Sequence, residues 1–263
     1  MVARESVRRR REISGAGVPG NQILAGLPHE TYLCVASDLE PVHLAAGSVV
    51  TENNARTRHA YFPVDCVVSL QGMTREGASV EFGLIGSEGV LGLAAIFEGE
   101  SAHGRAVVQT AGHALRLPVQ ALMNSCRRCS GFHSGLLRFS GVFGAQVAQR
   151  SICHRVHSIE QHLCSWLLLM HDRSFGEAIE VTHDALGGVL GARREGVSIA
   201  VKRLREAGLI RTVRGRLVIR DHAALVEHSC ECYGVIRQAY DGQTWSEGIR
   251  LWPGLVLWRE KSI

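Results

Sequence analysis

Two short segments near residue 190 have apolar residues at helical spacing. The first segment has an apolar face made of Ala185, Leu186, Val189 and Leu190. The second follows the spacing i, i+3, i+4, i+7 at Val197, Ala200, Val201 and Leu204, which is typical of a helix with one buried stripe. Gly191 lies between the segments, and glycine readily takes the positive φ that a sharp turn after a helix requires. The pattern predicts two helices joined by a tight turn.

Polar and glycine residues set the limits of this unit. Thr182 is suited to cap the first helix, Asp184 complements the dipole of its first turn, and Gly208 follows the second helix. Two apolar segments, 209–213 and 217–219, then flank an Arg-Gly pair, and this combination predicts a β-hairpin. The order of elements predicts a helix-turn-helix followed by a wing.

Basic charge is concentrated in the same unit. Residues 181–220 contain nine Lys and Arg against three acidic residues, whereas the whole chain has a net charge of only +4. Basic charge placed on a predicted helix-turn-helix favours a polyanionic partner, and we expect double-stranded DNA. The alternative is an ordinary helical hairpin with a solvated basic face.

The exposed positions of the unit have side chains that can read DNA. Arginine donates a forked pair of hydrogen bonds to guanine, glutamate accepts from cytosine, and serine bonds to bases or phosphates. The arginines of a wing can lie along phosphates. The candidate DNA-binding residues are Thr182, Arg193, Arg194, Glu195, Ser198, Lys202, Arg211, Arg214 and Arg216.

The unit resembles that of the Crp/Fnr family, the bacterial transcription regulators related to the cyclic-AMP receptor protein and the fumarate-nitrate regulator. The matching positions are Thr182, Gly191, Arg194, Glu195 and Ser198. Ile199 departs from the pattern, because several members have Arg there, so the operator sequence does not carry over. Residues 153–173 and 230–233 are similar to a subgroup with divergent sensor domains. The resemblance covers about residues 20 to 235.

The segment before this unit has a different hydrophobic pattern, in which short apolar runs are separated by turn residues. Such runs predict strands of a small sandwich or barrel; they are 47–50, 60–64, 66–70, 80–85, 106–109 and 114–117. The resemblance implies an α+β chain with an N-terminal double-stranded β-helix, or jelly roll, a long dimerisation helix and a C-terminal winged helix-turn-helix. The corresponding ranges are 21–131 for the sensor, 132–160 for the helix and 161–233 for the DNA-binding domain. Outside the resemblance, we expect a flexible basic tail over 1–20, with a second DNA-contacting arm as the alternative, and a Trp-containing extension over 234–263.

The polar groups of a cyclic-nucleotide site are incomplete in this sensor. In nucleotide-binding members a Gly-Glu pair contacts the ribose and an Arg-Ser pair contacts the phosphate. Alignment places Val90 at the Glu position and Gly104-Arg105 at the Arg-Ser position. Val90 cannot accept hydrogen bonds from ribose hydroxyls. We therefore expect no response to cyclic AMP; the effector is unknown, and Arg105 is only a weak candidate for binding it.

A long helix is predicted between the two halves, over residues 132–157. Its apolar residues follow mostly three- and four-residue steps without any proline, at Leu136, Phe139, Phe143, Val147 and Ile152. The resemblance implies that this helix pairs with its twin in a homodimer, which a two-fold operator also requires. The alternative is a helix that packs only on its own β-domain.

Eight cysteines raise the question of metal or redox chemistry. The Cys126-x-x-Cys129 pair lies about 100 residues from Cys230-x-Cys232, which is weak support for a zinc site. Cys153, His154 and His157 could share a helix face, yet reduced cysteines are usually buried as small apolar residues. We expect no metal and no cofactor.

A redox thiol is the remaining use for these cysteines. Cys126 and Cys129 flank Arg127 and Arg128, and neighbouring cations lower the pKa of a thiol. A thiol sensor is therefore one alternative to a small-metabolite sensor, and a constitutive DNA-binding regulator is another. A cyclic-nucleotide-binding regulatory subunit is a remote alternative.

Other function classes find no support in the sequence. No GxSxG, HExxH or Gly-Lys-Ser/Thr motif is present, so an enzyme is not expected. No apolar run approaches the ~18 residues of a membrane helix, and no apolar segment of the kind found in secretory signals follows Arg8–Arg11. We expect a cytoplasmic regulator whose partners are operator DNA and a second copy of the chain, with RNA polymerase as a further candidate and no membrane.

Overall fold

The N-terminal half is built on two facing β-sheets. The computed structural model describes residues 20–97, 104–174 and 178–242; the predicted basic tail and most of the Trp-containing extension lie outside this range. Two helices come first, α1 (Gln22–Ala25) and α2 (His29–Ala36). The strands are β1 (Glu40–Leu44), β2 (Val49–Thr51), β3 (His59–Pro63), β4 (Val67–Met73), β5 (Ser79–Ile85), β6 (Arg105–Thr110) and β7 (Gly112–Pro118).

The strands form an antiparallel sandwich. One sheet has the order β1-β7-β3 and the other β2-β6-β4-β5. Buried side chains from both sheets, among them Phe62, Val68 and Leu117, meet in one core. The sandwich predicted from the short apolar runs is confirmed.

Three N-terminal elements were not predicted. Strand β1 contains Pro41 and is mostly exposed, so it lacks the apolar signal of the other strands. Its place at the edge of the sheet accommodates the proline, which cannot donate a backbone hydrogen bond. Helix α1 is only four residues long and depends on Asn21, whose side chain accepts from two backbone N–H groups. Helix α2 has no side-chain cap and buries only Val35.

A long helix connects the halves. After α3 (Val119–Arg128), α4 runs from Ser130 to Val156, close to the range predicted from the sequence. Its residues Leu136 and Phe139 are buried against the sandwich. The approach is close at Gly89, where an added Cβ would lie 2.4 Å from the ring of Phe139. Helix α4 therefore does pack on its own β-domain with one face.

The C-terminal half has a second core, to which the sandwich also contributes. It contains α5 (Ile159–Arg173), β8 (Ala178–Glu180), α6 (His183–Leu190), α7 (Arg194–Glu206), β9 (Ile210–Val213), β10 (Arg216–Ile219), α8 (His222–His228) and α9 (Glu231–Asp241). The three strands pair in the order β8-β10-β9. Helix α5 is buried along most of its length, with Trp166 fully buried at the centre. Val67 and Leu84 of the sandwich belong to the same core.

A buried ion pair lies at this junction. Arg150 of α4 contacts Glu81 of β5 at 3.1 Å, and both side chains are almost fully buried. Ser69 and Trp166 donate further hydrogen bonds to the Glu81 carboxylate, at 2.7 and 3.2 Å. Burial raises the pKa of Glu81, and the charge of Arg150 opposes that rise. The pair therefore joins the sandwich, the long helix and α5.

None of the helices in the described ranges combines the length and apolarity needed to cross a membrane.

Candidate nucleic-acid interface and sensor cavity

Local contacts explain the tight turn between α6 and α7. Thr182 Oγ1 accepts a hydrogen bond from the backbone N–H of Ala185 at 3.1 Å, so the predicted cap is confirmed. Gly191 has φ 59° and ψ 34°, the left-handed conformation expected there. Gly187 faces the turn, and a Cβ added to it would lie 2.9 Å from the carbonyl oxygen of Ala192. The turn therefore needs glycine at both positions.

Helix α7 presents its first turn to solvent. Arg193 occupies the N-cap position, and Arg194 and Glu195 follow as exposed residues. The predicted apolar stripe is buried on the opposite side of the helix, at Val197, Ala200, Val201 and Leu204. Arg194 Nε lies 3.6 Å from Asp184 Oδ1 of α6, and both side chains are mostly exposed. Such an exposed pair is weak, so Arg194 can exchange its partner for a base or a phosphate.

His183 and Ile199 lie beside the predicted DNA-binding residues on this surface. Ser198 is half-buried, and its Oγ lies 3.0 Å from Nδ1 of His183 in α6. Ile199 is 54% exposed on the outer side of α7. Ile199 was considered above only as a departure from the family pattern, and His183 was not considered. The signal for Ile199 was present, because it lies outside the apolar stripe of its helix.

The wing carries the other three candidate DNA-binding arginines. Arg211, Arg214 and Arg216 are all exposed on or between β9 and β10. Arg214 and Gly215 have φ of 49° and 78°, as a two-residue hairpin turn requires. Arg216 also pairs with Glu180 of β8 at 3.0 Å, and Lys202 of α7 pairs with Glu206 at 3.8 Å. These exposed pairs leave the cations accessible to an incoming phosphate.

The sandwich contains a cavity of about 360 Å³ next to α4. Its wall is mainly apolar and includes Val90, Phe82, Ile85, Leu91, Ala106 and Phe143. Val90 is buried in that wall, as expected from its place in the alignment. Arg105 lies at the start of β6, with its Nε 3.4 Å from Glu52 Oε2. Its guanidinium thus has an acidic partner outside the lining of the cavity.

The cysteines singled out as redox candidates do not form a reactive pair. Cys129 is bonded to Cys34, which lies in α2. Cys126 is half-buried, and burial raises the pKa of its thiol. The shift of the Cys126 pKa is thus opposite to the one expected from its neighbours Arg127 and Arg128, and a thiol sensor stays an alternative.

Each half of the chain matches a known protein-family model. Residues 41–129 match the cyclic nucleotide-binding domain, and residues 161–228 match the Crp-like helix-turn-helix domain. Together the two matches cover more than half of the chain. They define a protein that joins a cyclic-nucleotide-binding-type β-domain to a C-terminal helix-turn-helix.

Solved structures with the same arrangement are distant in sequence. FixK2 from Bradyrhizobium japonicum is 14% identical, with a TM-score of 0.63 over 73% of this chain and 98% of that one. A Crp/Fnr-family regulator from Eubacterium rectale is 13% identical, with a TM-score of 0.63 over 80% and 98%. The c-di-GMP responsive regulator CLP of Xanthomonas campestris is 12% identical, with a TM-score of 0.59 over 74% and 100%. No curated protein sequence matches the chain. The chain belongs to the Crp/Fnr family and has the fold of its DNA-binding transcription regulators.

Proposed function

We propose that the protein regulates transcription in the cytoplasm by binding a two-fold operator as a homodimer. The observation that carries the proposal is the exposed first turn of α7, where Arg193, Arg194 and Glu195 stand free of the core. The N-terminal residues of a recognition helix are those that reach base edges in the major groove. We assign base reading to Arg194, Glu195 and Ser198, and phosphate contacts to Thr182, Arg193, Lys202 and the three arginines of the wing.

Ile199 adds an apolar element to this reading surface. An exposed aliphatic side chain on a recognition helix can contact the C5-methyl group of thymine, which has no counterpart on cytosine. Ile199 would therefore favour thymine at one operator position, where related regulators with Arg would favour guanine.

The outer face of α4 supports the homodimer. Leu137 and Ile152 are 43% and 48% exposed on this helix. Between them, Gly141, Gly144 and Ala148 are exposed, and a Cβ added at either glycine would meet nothing within 4 Å. These residues recur at three- and four-residue steps, the spacing of a helix–helix seam. Small residues in such a seam let two copies of α4 approach closely.

Selection of DNA fragments from a random pool, followed by mobility shift, tests the operator. We expect a palindromic sequence with half-sites about 10 base pairs apart, or a multiple of that, centre to centre. We also expect a mass of two chains in the complex. A monomer that binds single half-sites as tightly as palindromes would contradict the proposal.

The sensor cavity supports a small apolar metabolite as effector over cyclic AMP. A cyclic nucleotide needs acceptors for its ribose and a cation for its phosphate, whereas Val90 lies in the wall and Arg105 is engaged with Glu52. Leaving buried hydroxyl groups unpaired costs about 1–3 kcal/mol each. Calorimetry with cyclic AMP and cyclic GMP tests this point. Micromolar affinity that is lost in Arg105→Ala would contradict it.

Operator binding measured with and without a metabolite pool separates an effector-gated regulator from a constitutive one. In vitro transcription with RNA polymerase then distinguishes activation from repression.

A further inference from the structure

Three cysteines and a histidine meet where α4 ends and α9 begins. Cys153 lies in the last turn of α4, His157 directly follows that helix, Cys230 caps α9 and Cys232 lies in its first turn. Each offers one ligand atom, and these four atoms lie within 4.8 Å of one another. The three cysteines are buried and form a cluster separate from the two main cores.

We propose that this four-residue cluster, named here the thiol site, binds one Zn²⁺ ion. The Sγ atoms of Cys153 and Cys230 are 3.5 Å apart, and Cys232 Sγ lies 3.5 Å from Nδ1 of His157. With zinc–sulfur and zinc–nitrogen distances of about 2.3 and 2.0–2.1 Å, tetrahedral ligand atoms lie roughly 3.5–3.8 Å apart. The described atoms therefore need only small shifts to surround one ion.

Polar groups outside the thiol site favour thiolate ligands. Gln149 Nε2 donates to Cys232 Sγ at 3.1 Å, and the hydroxyl of Ser165 lies 3.1 Å from Cys230 Sγ. An amide and a hydroxyl directed at sulfur stabilise negative charge there, whereas a cluster that serves only as packing would be lined by apolar groups. These contacts thus distinguish a ligand set from ordinary buried cysteines.

The imidazole of His157 is held in the orientation of a metal ligand. Its Nε2 lies 3.3 Å from the carboxylate of Glu231, while Nδ1 faces Cys232. A carboxylate on the outer nitrogen fixes the tautomer and raises the basicity of the inner nitrogen, which is a recurrent feature of histidine ligands to zinc. The ligand set is therefore three thiolates and one neutral imidazole, with no open position, as in structural zinc sites.

A disulfide between Cys153 and Cys230 would explain fewer of these contacts than a zinc ion does. A Cys153–Cys230 bond needs about 2.05 Å between the sulfurs, and it would leave Cys232, His157 and Glu231 without a role. The proposal departs from the expectation of no metal, because the ligands come from two segments 77 residues apart. It is also independent of the proposed function, since it concerns metal binding and uses no DNA.

Zinc would attach α9 to the end of α4. Zinc competes with protons for thiolate ligands, so the affinity falls as the pH is lowered. The bound ion carries two positive charges against three thiolate charges.

The experiment uses the full chain, purified with reductant and freed of metal by a chelator. Zinc titrated against a chromophoric competitor gives stoichiometry and affinity, and Co²⁺ gives a spectrum that reports its ligands. We expect one zinc per chain, and for cobalt both sulfur charge-transfer bands and the intense visible bands of tetrahedral coordination. Wild type without stoichiometric zinc, or cobalt bound without sulfur bands, overturns the proposal. Purified protein that contains iron and sulfide instead overturns the assignment to zinc.

Matched variants locate the ion. Cys232→Ser and Cys153→Ser should lose stoichiometric binding, whereas Cys126→Ser, a free cysteine outside the site, should bind as wild type does. Glu231 is 69% exposed, so Glu231→Gln should fold normally and bind zinc about 10- to 100-fold more weakly. Equal loss in Cys126→Ser, or wild-type affinity in Glu231→Gln, contradicts the site described here.

Discussion

We expect side chains on α7 to contact bases and side chains on the wing to contact phosphates. Arg194→Ala should weaken operator binding by about 1–3 kcal/mol and relax the preference at one base pair, because it removes a forked contact to a base. Arg214→Ala should weaken all sequences alike and make the salt dependence shallower by about one unit, because it removes one phosphate contact. Mobility shifts on operator and scrambled DNA at several salt concentrations measure both. A uniform loss in Arg194→Ala would place Arg194 among the phosphate contacts.

His162 of α5 gives the fold a pH dependence. The residue is buried, its Nε2 has no hydrogen-bond partner among the described residues, and desolvation lowers its pKa to about 2. Its folded pKa thus lies below the unfolded value of about 6.5, so the unfolded chain binds the additional proton in acid. The stabilising effect of the neutral ring is complete above pH 6.5 and is lost as the pH falls below it.

The predicted measurement is the free energy of unfolding between pH 7.5 and pH 5.5. From pH 6.5 to pH 5.5 the wild type should lose about 1 kcal/mol through His162 alone, by proton linkage. In His162→Leu that part of the slope should be absent. Equal slopes in the two proteins would show that His162 does not cause the pH dependence.

Among the helices, α4 shows most clearly what the sequence could and could not predict. Its apolar periodicity predicts a helix, and Leu136 and Phe139 do pack, but against the sandwich of the same chain. The face proposed for dimerisation consists largely of glycine and alanine, which give no hydrophobic signal. Periodicity reports that a face is buried and does not say against which partner.

The thiol site shows that sequence patterns do not reveal contacts between residues far apart in the chain. Cys153 and Cys230 are 77 positions apart, and no spacing rule connects them. By contrast, the helix-turn-helix depends on caps and turns within about forty residues, and these contacts are local. Local rules therefore predicted the DNA-binding unit well, whereas strand β1, helix α2 and the cysteine cluster needed the tertiary structure.

A charge on the outer face of α4 should separate the proposed dimer. Ala148→Glu places two like charges in the seam, and the residue is exposed, so the monomer should fold as before. Sedimentation should then give the mass of one chain, and operator affinity should fall at least tenfold because two half-sites are no longer bound together. Ala223→Glu, the same change at an exposed alanine of α8, is the matched control for added charge away from the seam. An unchanged dimer in Ala148→Glu would exclude this face.

At the scale of the molecule, the pair of Glu81 and Arg150 is expected to hold the halves together. Arg150→Ala leaves a buried carboxylate without its cation, and breaking such a pair costs about 3–5 kcal/mol. The double variant Glu81→Gln, Arg150→Met should regain part of this loss, because neither charge remains. Chemical denaturation measures each value. Arg116→Ala, which breaks the exposed pair with Glu40, should change stability little.

The core shared by the sandwich and α5 has a consequence for how the protein can be divided. Val67 and Leu84 lie in the same apolar interior as Trp166 and the buried residues of the helix-turn-helix. A fragment that begins at residue 159 would expose that interior, so the DNA-binding half should not fold as an independent module. Heating should accordingly produce a single calorimetric transition in the intact chain. Chimaeras that exchange one half with a distant relative should aggregate unless the shared interior is exchanged with it.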